Sequence, residues 1–276
     1  MPYFTANGVR LYYEDSQEGQ TASPAETLVF SHGLLWSGHM FHKQVAALRS
    51  QYRIITYDHR GQGRSEITAD GYDMDTLYQD AVALIEGLSL GRVHFAGLSM
   101  GGFIGMRLAA RRPDLLRSLL LLETSAEGEP LENVGKYRTL CTVVNWLGTW
   151  AVAGPVMKIM FGQTFLNDPA RADERLYWTK QLRQNKRSIT RAVNGVIDRN
   201  PILPELGQVT APTLVVVGDE DVATRPPKAQ RIHEAIAGSQ LVIVPRAGHS
   251  SSVEEPEAVT HAIRSFLESV GPDGSR

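Results

Sequence analysis

Val93-His94-Phe95-Ala96-Gly97-Leu98-Ser99-Met100-Gly101-Gly102 is the stretch on which the fold of this chain turns. An apolar run, Val93 to Ala96, enters Gly97-x-Ser99-x-Gly101. A small-residue-rich, helix-compatible segment, Phe103 to Arg112, follows and stops at Pro113. The order is strand, sharp turn and helix, with a serine at the apex. Side chains at positions 97 and 101 would collide with the neighbouring strand and helix, and Gly102 and Gly105 let the helix lie close to the sheet. Ser99 is expected to project from the sheet end with its hydroxyl accessible. The helix N-terminus behind it turns backbone N–H groups and a partial positive charge toward a developing oxyanion. A lone Gly-x-Ser-x-Gly also occurs in ordinary loops, so the flanking elements have to decide between the two readings.

Upstream, Val9 to Tyr13 follows the turn pair Asn7-Gly8, which predicts an N-terminal β-hairpin. Residues 16–26 are polar and loop-like. Thr27 to Phe30 reads as a buried strand ending in Ser31-His32-Gly33-Leu34-Leu35-Trp36, followed by a helix with Phe41, Val45 and Leu48 on one face. Tyr52 to Tyr57 is the next strand and runs into Asp58-His59-Arg60-Gly61-Gln62-Gly63-Arg64-Ser65. A helix carrying Leu77, Ala81, Leu84 and Leu88 in register comes next and is stopped by Gly91. After the Ser99 turn, Ser118 to Leu122 is a strand with Glu123 at its end.

Between about Ala126 and Gln208 the alternation lapses into helical segments broken by Gly148, Gly154-Pro155, Gly162, Asp168-Pro169 and Pro201. Three of the four tryptophans, Trp146, Trp150 and Trp178, fall here, and are expected to fasten the insertion to the core or to line a pocket beneath it. Arg171, Arg175, Lys180, Arg183, Lys186, Arg187 and Arg191 make its later half basic, the usual composition of a solvated face. The alternation resumes with Pro212 to Val217, then Gly218-Asp219-Glu220-Asp221 and a helix from Pro226-Pro227 to Gly238. Leu241 to Val244 is the last strand, and Ala247-Gly248-His249 follows it. The last helix, near Val253 to Val270, is expected to open on a capping box of Ser252 and Glu255. Alternation of this kind implies an α/β fold with a mostly parallel sheet flanked by helices. Its chemistry belongs at the carboxyl ends of the strands.

A chain of 276 residues with 42% hydrophobic and 21% charged content can bury a large core and is ordinary for a globular protein. A net charge of −2 gives no reason to expect nucleic acid or an anionic membrane as partner. No basic-then-apolar leader opens the sequence, and no run approaches the ~20 apolar residues of a membrane span. Cys141 is the single cysteine, so no intramolecular disulfide or thiolate cluster can form, and a reducing cytoplasm is expected. The eight histidines show no paired ligand spacing, so neither a metal nor a cofactor is expected. Oligomeric state cannot be read from these features.

A serine hydroxyl attacks a carbonyl only with a general base in reach, and that base needs an orienting acid. Asp221 and His249 sit on loops after the two strands that follow the insertion, in the order Ser99, Asp221, His249. Asp219 and Glu123 compete for the acid's place, and His32 and His59 for the base's. His94, His233 and His261 fall within a strand or a helix. Together, His32-Gly33, Asp58-x-Arg60-Gly61-x-Gly63-x-Ser65, Gly97-x-Ser99-x-Gly101, Gly218-x-x-Asp221 and Gly248-His249 resemble the landmarks of the α/β-hydrolase superfamily, in its order. Within it the chain is most similar to the esterase and 3-oxoadipate enol-lactonase-like branch. The Asp58–Ser65 turn and Ala247-Gly248-His249-Ser250-Ser251 through Glu255-Pro256 carry that likeness.

The resemblance implies an α/β-hydrolase fold: an eight-stranded sheet and core domain from residues 1–125 and 206–276, with a helical cap over 126–205. It implies a triad of Ser99, Asp221 and His249, favouring Asp221 over Asp219 by the Gly-x-x-Asp spacing. It further implies an oxyanion hole from the backbone N–H groups of Leu34 and Met100, their apolar side chains forming pocket wall with Leu35 and Trp36. The activity implied is hydrolysis of small-molecule carboxylic esters or lactones, short or medium acyl and aromatic ones ahead of long-chain triglycerides. A dicarboxylate-like enol-lactone would need a cationic contact in the pocket, which the basic half of the cap could supply. Relatives that dehalogenate or open epoxides carry aspartate at the elbow, so serine disfavours those reactions. Carbon–carbon bond hydrolysis and perhydrolysis use the same triad and stay open, as does a slow-turnover ligand receptor.

Overall fold

The computed structural model describes residues 2–18 and 26–271. Most of the polar stretch at 16–26 lies outside the described residues. The eight strands are β1 (Tyr3–Ala6), β2 (Val9–Asp15), β3 (Thr27–Ser31), β4 (Arg53–Tyr57), β5 (Val93–Leu98), β6 (Leu116–Leu122), β7 (Thr213–Gly218) and β8 (Gln240–Val244). They form one sheet in the order β1-β2-β4-β3-β5-β6-β7-β8. The β1–β2 and β2–β4 pairings are antiparallel and the rest parallel. The protein therefore has the α/β-hydrolase architecture, with a mostly parallel eight-stranded sheet.

Residue alternation explains why both sheet faces are covered. Val29, Phe95, Leu119, Leu121 and Val215 point into one core, and Leu28, Phe30, Leu120, Leu122 and Val216 into the other. Helices α2 (Met74–Gly87) and α3 (Met100–Arg111) cover the first face, and α1 (His42–Leu48) the second. The strand order reverses around β3: β4 lies on one side of it and β5 on the other. Such a switch point opens a crevice at the carboxyl edge. The loops after Ser31 and Leu98 flank it.

Between β6 and β7 the chain forms α4 (Leu131–Leu147), α5 (Ala153–Met160), α6 (Gln163–Asn167), α7 (Ala172–Arg183) and α8 (Ile189–Ile197). Gly154-Pro155 does not break a helix here. It lies in the first turn of α5, where proline has no hydrogen bond to lose. Helix α9 (Pro226–Ala235) follows β7 and packs against the first face.

The single last helix expected from Val253 to Val270 is two, α10 (Ser251–Glu254) and α11 (Pro256–Ser269). Pro256 disfavours helical geometry at the preceding residue, and Glu255 is turned out to φ −127°, ψ 62°. The expected Ser252–Glu255 capping box is absent, because Ser252 is buried inside α10 and Glu255 occupies the N-cap position of α11 without a side-chain cap hydrogen bond. No described helix is long and apolar enough to cross a membrane. Among the described residues no group of three or more His, Cys, Asp or Glu could hold a metal ion.

Candidate active site

The turn from β5 into α3 places Ser99 at φ 52°, ψ −110°, a left-handed conformation that costs a non-glycine residue on the order of 1–3 kcal/mol. Its neighbours hold it there. Thr124 Oγ1 donates to the Ser99 carbonyl at 2.8 Å, and the Ser99 N–H donates to the Leu122 carbonyl at 2.8 Å. Close approach explains the glycines. A Cβ on Gly101 would lie 2.0 Å from the Ser31 carbonyl oxygen, and one on Gly97 2.2 Å from that of Gly101.

Ser99, His249 and Asp221 meet. Ser99 Oγ is 2.8 Å from His249 Nε2, and His249 Nδ1 is 2.9 Å from Asp221 Oδ2. All three are buried, Ser99 keeping 8% of its surface. Asp221 Oδ1 also accepts the N–H groups of Ala223 (2.7 Å) and Thr224 (2.9 Å), and Oδ2 accepts the Thr224 hydroxyl at 2.7 Å. Burial pushes this carboxyl up, but the attraction and hydrogen bond of His249, with the two Thr224 bonds, outweigh it. The carboxyl is held below its ordinary range and stays ionised.

The competitors take no part in this chain of contacts. Asp219 is exposed and accepts the Arg246 N–H at 2.7 Å. Glu123 is fully buried, and burial drives its carboxyl well above the usual range, favouring the neutral form. His32 and His59 brace one another: the His59 N–H donates to His32 Nε2 at 3.0 Å. His94 sits 2.8 Å from Ser118 Oγ.

The loop after β3 brings Leu34 beside Ser99 in the wall of one cavity. Leu35 lies at φ 74° and donates its N–H to Gln62 Oε1 at 2.8 Å, so the Asp58–Ser65 turn fixes this loop. Neither Gln62 nor Thr224 is marked by its motif: Gln62 reaches Leu35, and Thr224 reaches His249, only through the fold, although Thr224 is local to Asp221. Met100 differs from expectation. Its side chain is fully buried in the core with the rest of α3 and forms no cavity wall.

The cavity over Ser99 and His249 is lined by Leu34, Leu35 and Phe103 from the core, and by residues such as Val144, Met160 and Ile189 from the inserted helices. Trp36, expected in the pocket, is not there. It is buried against Phe161 and Trp178, with ring centroids at 5.8 and 5.3 Å, because the left-handed Leu35 turns it away from Ser99. Trp178 is thus a fastener of inserted helix to core, whereas Trp146 and Trp150 are 78% and 63% exposed and fasten nothing. None of the seven basic residues from Arg171 to Arg191 lines this cavity. Among the described residues its one arginine is Arg199, which lies just past the end of α8 and outside the basic run.

A sequence model of the alpha/beta hydrolase family matches residues 28–262. A 3-oxoadipate enol-lactonase from Acinetobacter baylyi is 28% identical over 263 residues, spanning 95% of each chain. Among solved structures, an enol-lactonase from Burkholderia xenovorans superposes with a TM-score of 0.88 at 29% identity, over 97% of this chain and all of the other. A thermophilic esterase from Thermogutta terrifontis gives 0.86 at 25% identity, over 96% and 97%.

Proposed function

This chain belongs to the alpha/beta hydrolase family and is a hydrolase, and we propose that it cleaves carboxylic esters or lactones through an acyl-enzyme on Ser99. One observation carries the reading: the continuous contact from Ser99 Oγ through His249 to Asp221, at 2.8 and 2.9 Å. His249 Nε2 takes the hydroxyl proton as Oγ attacks the carbonyl carbon. Asp221 accepts the Nδ1 proton and stabilises the imidazolium that forms. The tetrahedral oxyanion rests on the N–H groups of Leu34 and Met100, worth ~3 kcal/mol for each such donor. His249 then protonates the leaving alkoxide, and a water activated by the same imidazole releases the acid. No step calls for a metal or an organic cofactor.

The cavity supports small, largely apolar acyl groups, short or medium chains and aromatic rings ahead of long-chain triglycerides. The lactonase and esterase names of the similar proteins point the same way. A fluorophosphonate probe tests the reading by phosphonylating Ser99. Labelling and turnover of p-nitrophenyl butyrate are expected in the wild type and lost in Ser99→Ala and His249→Ala. Labelling and turnover retained in both variants would overturn it.

A further inference from the structure

Besides Ser99 and His249, the cavity wall carries two charged side chains among the described residues, Glu129 and Arg199. They are bonded to each other. Arg199 Nη1 donates to Glu129 Oε2 at 2.9 Å, the two side chains keeping only 2% and 9% of their surface. The guanidinium is held from three further directions. Its Nε donates to the Glu127 carbonyl at 3.0 Å, Nη1 also donates to the Val196 carbonyl at 2.7 Å, and its carbon lies 4.4 Å over the Phe103 ring. Asn133 Nδ2 donates to the other carboxylate oxygen of Glu129 at 2.9 Å. Both charges are thus fixed in place, and they sum to zero.

The remaining polar groups of the wall are neutral. Thr149 donates to the carbonyls of Arg183 and Asn185, and Thr190 to the Asn145 side chain. Burial, then the Glu129 charge, push the Tyr137 phenol up to about 12, so it remains a protonated donor at neutral pH. Lys228 senses both members of the pair but does not line the cavity.

We propose that Glu129 sets the charge of the substrate: by cancelling Arg199 it restricts the cavity to electrically neutral esters and lactones and excludes those bearing a second, free carboxylate. A carboxylate entering this wall would lose its water and meet a neutral ion pair in place of a free cation. A neutral acyl chain has no charge to desolvate and meets mostly apolar surface, uncharged donors and the neutralised pair. With Glu129 replaced by glutamine, the shape of the wall is kept and Arg199 gains an uncompensated positive charge toward the cavity. The inference rests on the ester and lactone hydrolase reading above and goes on to name which of those substrates are taken.

The test uses p-nitrophenyl monoesters of succinate, glutarate and adipate, each against the same compound with its free carboxyl capped as a methyl ester. In the wild type the capped member is expected to be favoured in kcat/KM by about 30-fold. In Glu129→Gln that preference should shrink by about 10-fold or reverse, through KM of the charged member. Because breaking a buried pair weakens folding, Glu129→Gln/Arg199→Met is measured alongside. It removes both charges and should restore the wild-type preference. A wild type indifferent to capping, or a Glu129→Gln variant with an unchanged ratio, overturns the inference while leaving the hydrolase reading intact. Failure of the wild type to turn over any capped or uncapped ester, with no fluorophosphonate labelling, removes both.

Discussion

The Glu254 carboxylate accepts the backbone N–H of Gly162 at 2.7 Å, joining the histidine's own loop to the junction between α5 and α6. The same oxygen accepts the Gly248 N–H at 3.0 Å, and the other oxygen accepts that of Ser250, also at 3.0 Å. Both neighbours of His249 are therefore held by the carboxylate that holds the inserted helices. The backbones touch at this point, since a Cβ on Gly248 would lie 2.1 Å from the Gly162 nitrogen. Three more bonds run in parallel. The Thr164 N–H donates to Glu220 Oε2 at 2.8 Å, beside Asp221, and Arg171 donates to the Val253 and Glu254 carbonyls. The inserted helices thus brace the loops carrying the acid and the base.

Glu254→Gln should lower kcat more than it raises KM. An amide presents one oxygen where the carboxylate has two, so at least one buried N–H loses its acceptor, at about 1–3 kcal/mol. The resulting shift of the His249 loop is expected to reduce kcat by about 10-fold, because proton transfer depends on distance to Ser99. Urea denaturation and steady-state kinetics with p-nitrophenyl butyrate measure the two effects. A variant that loses stability with kcat intact would reduce Glu254 to a purely structural brace.

Stability should also depend on pH through this residue. Burial raises the Glu254 carboxyl from 4.5 to about 7, outweighing its three N–H donors. Between those values the folded chain keeps a proton that the unfolded chain has released. The contribution is therefore full below about 4.5 and is lost as pH rises through about 7, with a ceiling near 3 kcal/mol. Glu123 acts with the same sign. Asp221, with a lowered pKa, acts with the opposite one, its contribution present at neutral pH and lost on acidification. Comparing urea midpoints of wild type and Glu254→Gln at pH 5 and pH 8 isolates Glu254. The wild type should gain on the variant at pH 5, and parallel behaviour would contradict the assignment.

The fold was legible because hydrophobic period and glycine placement are local signals. Val93–Ala96, Gly97 and Gly101 announce a strand and a tight turn whatever surrounds them. Ser99, Asp221 and His249 could be named because each follows a strand, and parallel strands deliver their ends to one rim. What escaped depended on contacts between distant segments. Nothing near Trp36 reveals that the left-handed Leu35 swings it out of the cavity toward Trp178. Arg199 and Glu129 become partners only when the two ends of the insertion meet, and neither belongs to the more conspicuous basic run from Arg171 to Arg191. Glu254 lies inside the stretch that carries the family likeness, yet its three N–H partners come from two loops.

Trp36 should therefore behave as a core residue. Trp36→Ala removes a wedge between core and inserted helices and is expected to cost about 3–5 kcal/mol. Its buried indole N–H has no hydrogen-bond partner among the described residues, so Trp36→Phe abandons no polar contact. That variant should cost only about 1–2 kcal/mol. The ratio of kcat/KM for acetate, butyrate and benzoate esters should be unchanged in Trp36→Phe. A change in acyl preference there would return the side chain to the pocket.

Thr224 supplies the last prediction. Its hydroxyl donates to Asp221 Oδ2 at 2.7 Å and lies 3.2 Å from His249 Nδ1, so it fixes the carboxylate oxygen that the imidazole uses. Valine has the same shape without the donor, while the backbone N–H groups of residues 223 and 224 still bind the other oxygen. A hydrogen bond to a charged group is worth about 1.5–3 kcal/mol, and part of that holds the imidazole in line with Ser99. Thr224→Val is expected to lose about 10-fold in kcat with KM within about twofold, and Thr224→Ser, which keeps the hydroxyl, should stay near wild type. The serine control separates loss of the donor from altered packing of the cavity wall, because serine changes the packing and valine does not. Equal activity in the valine and serine variants would mean that the two backbone donors alone orient Asp221.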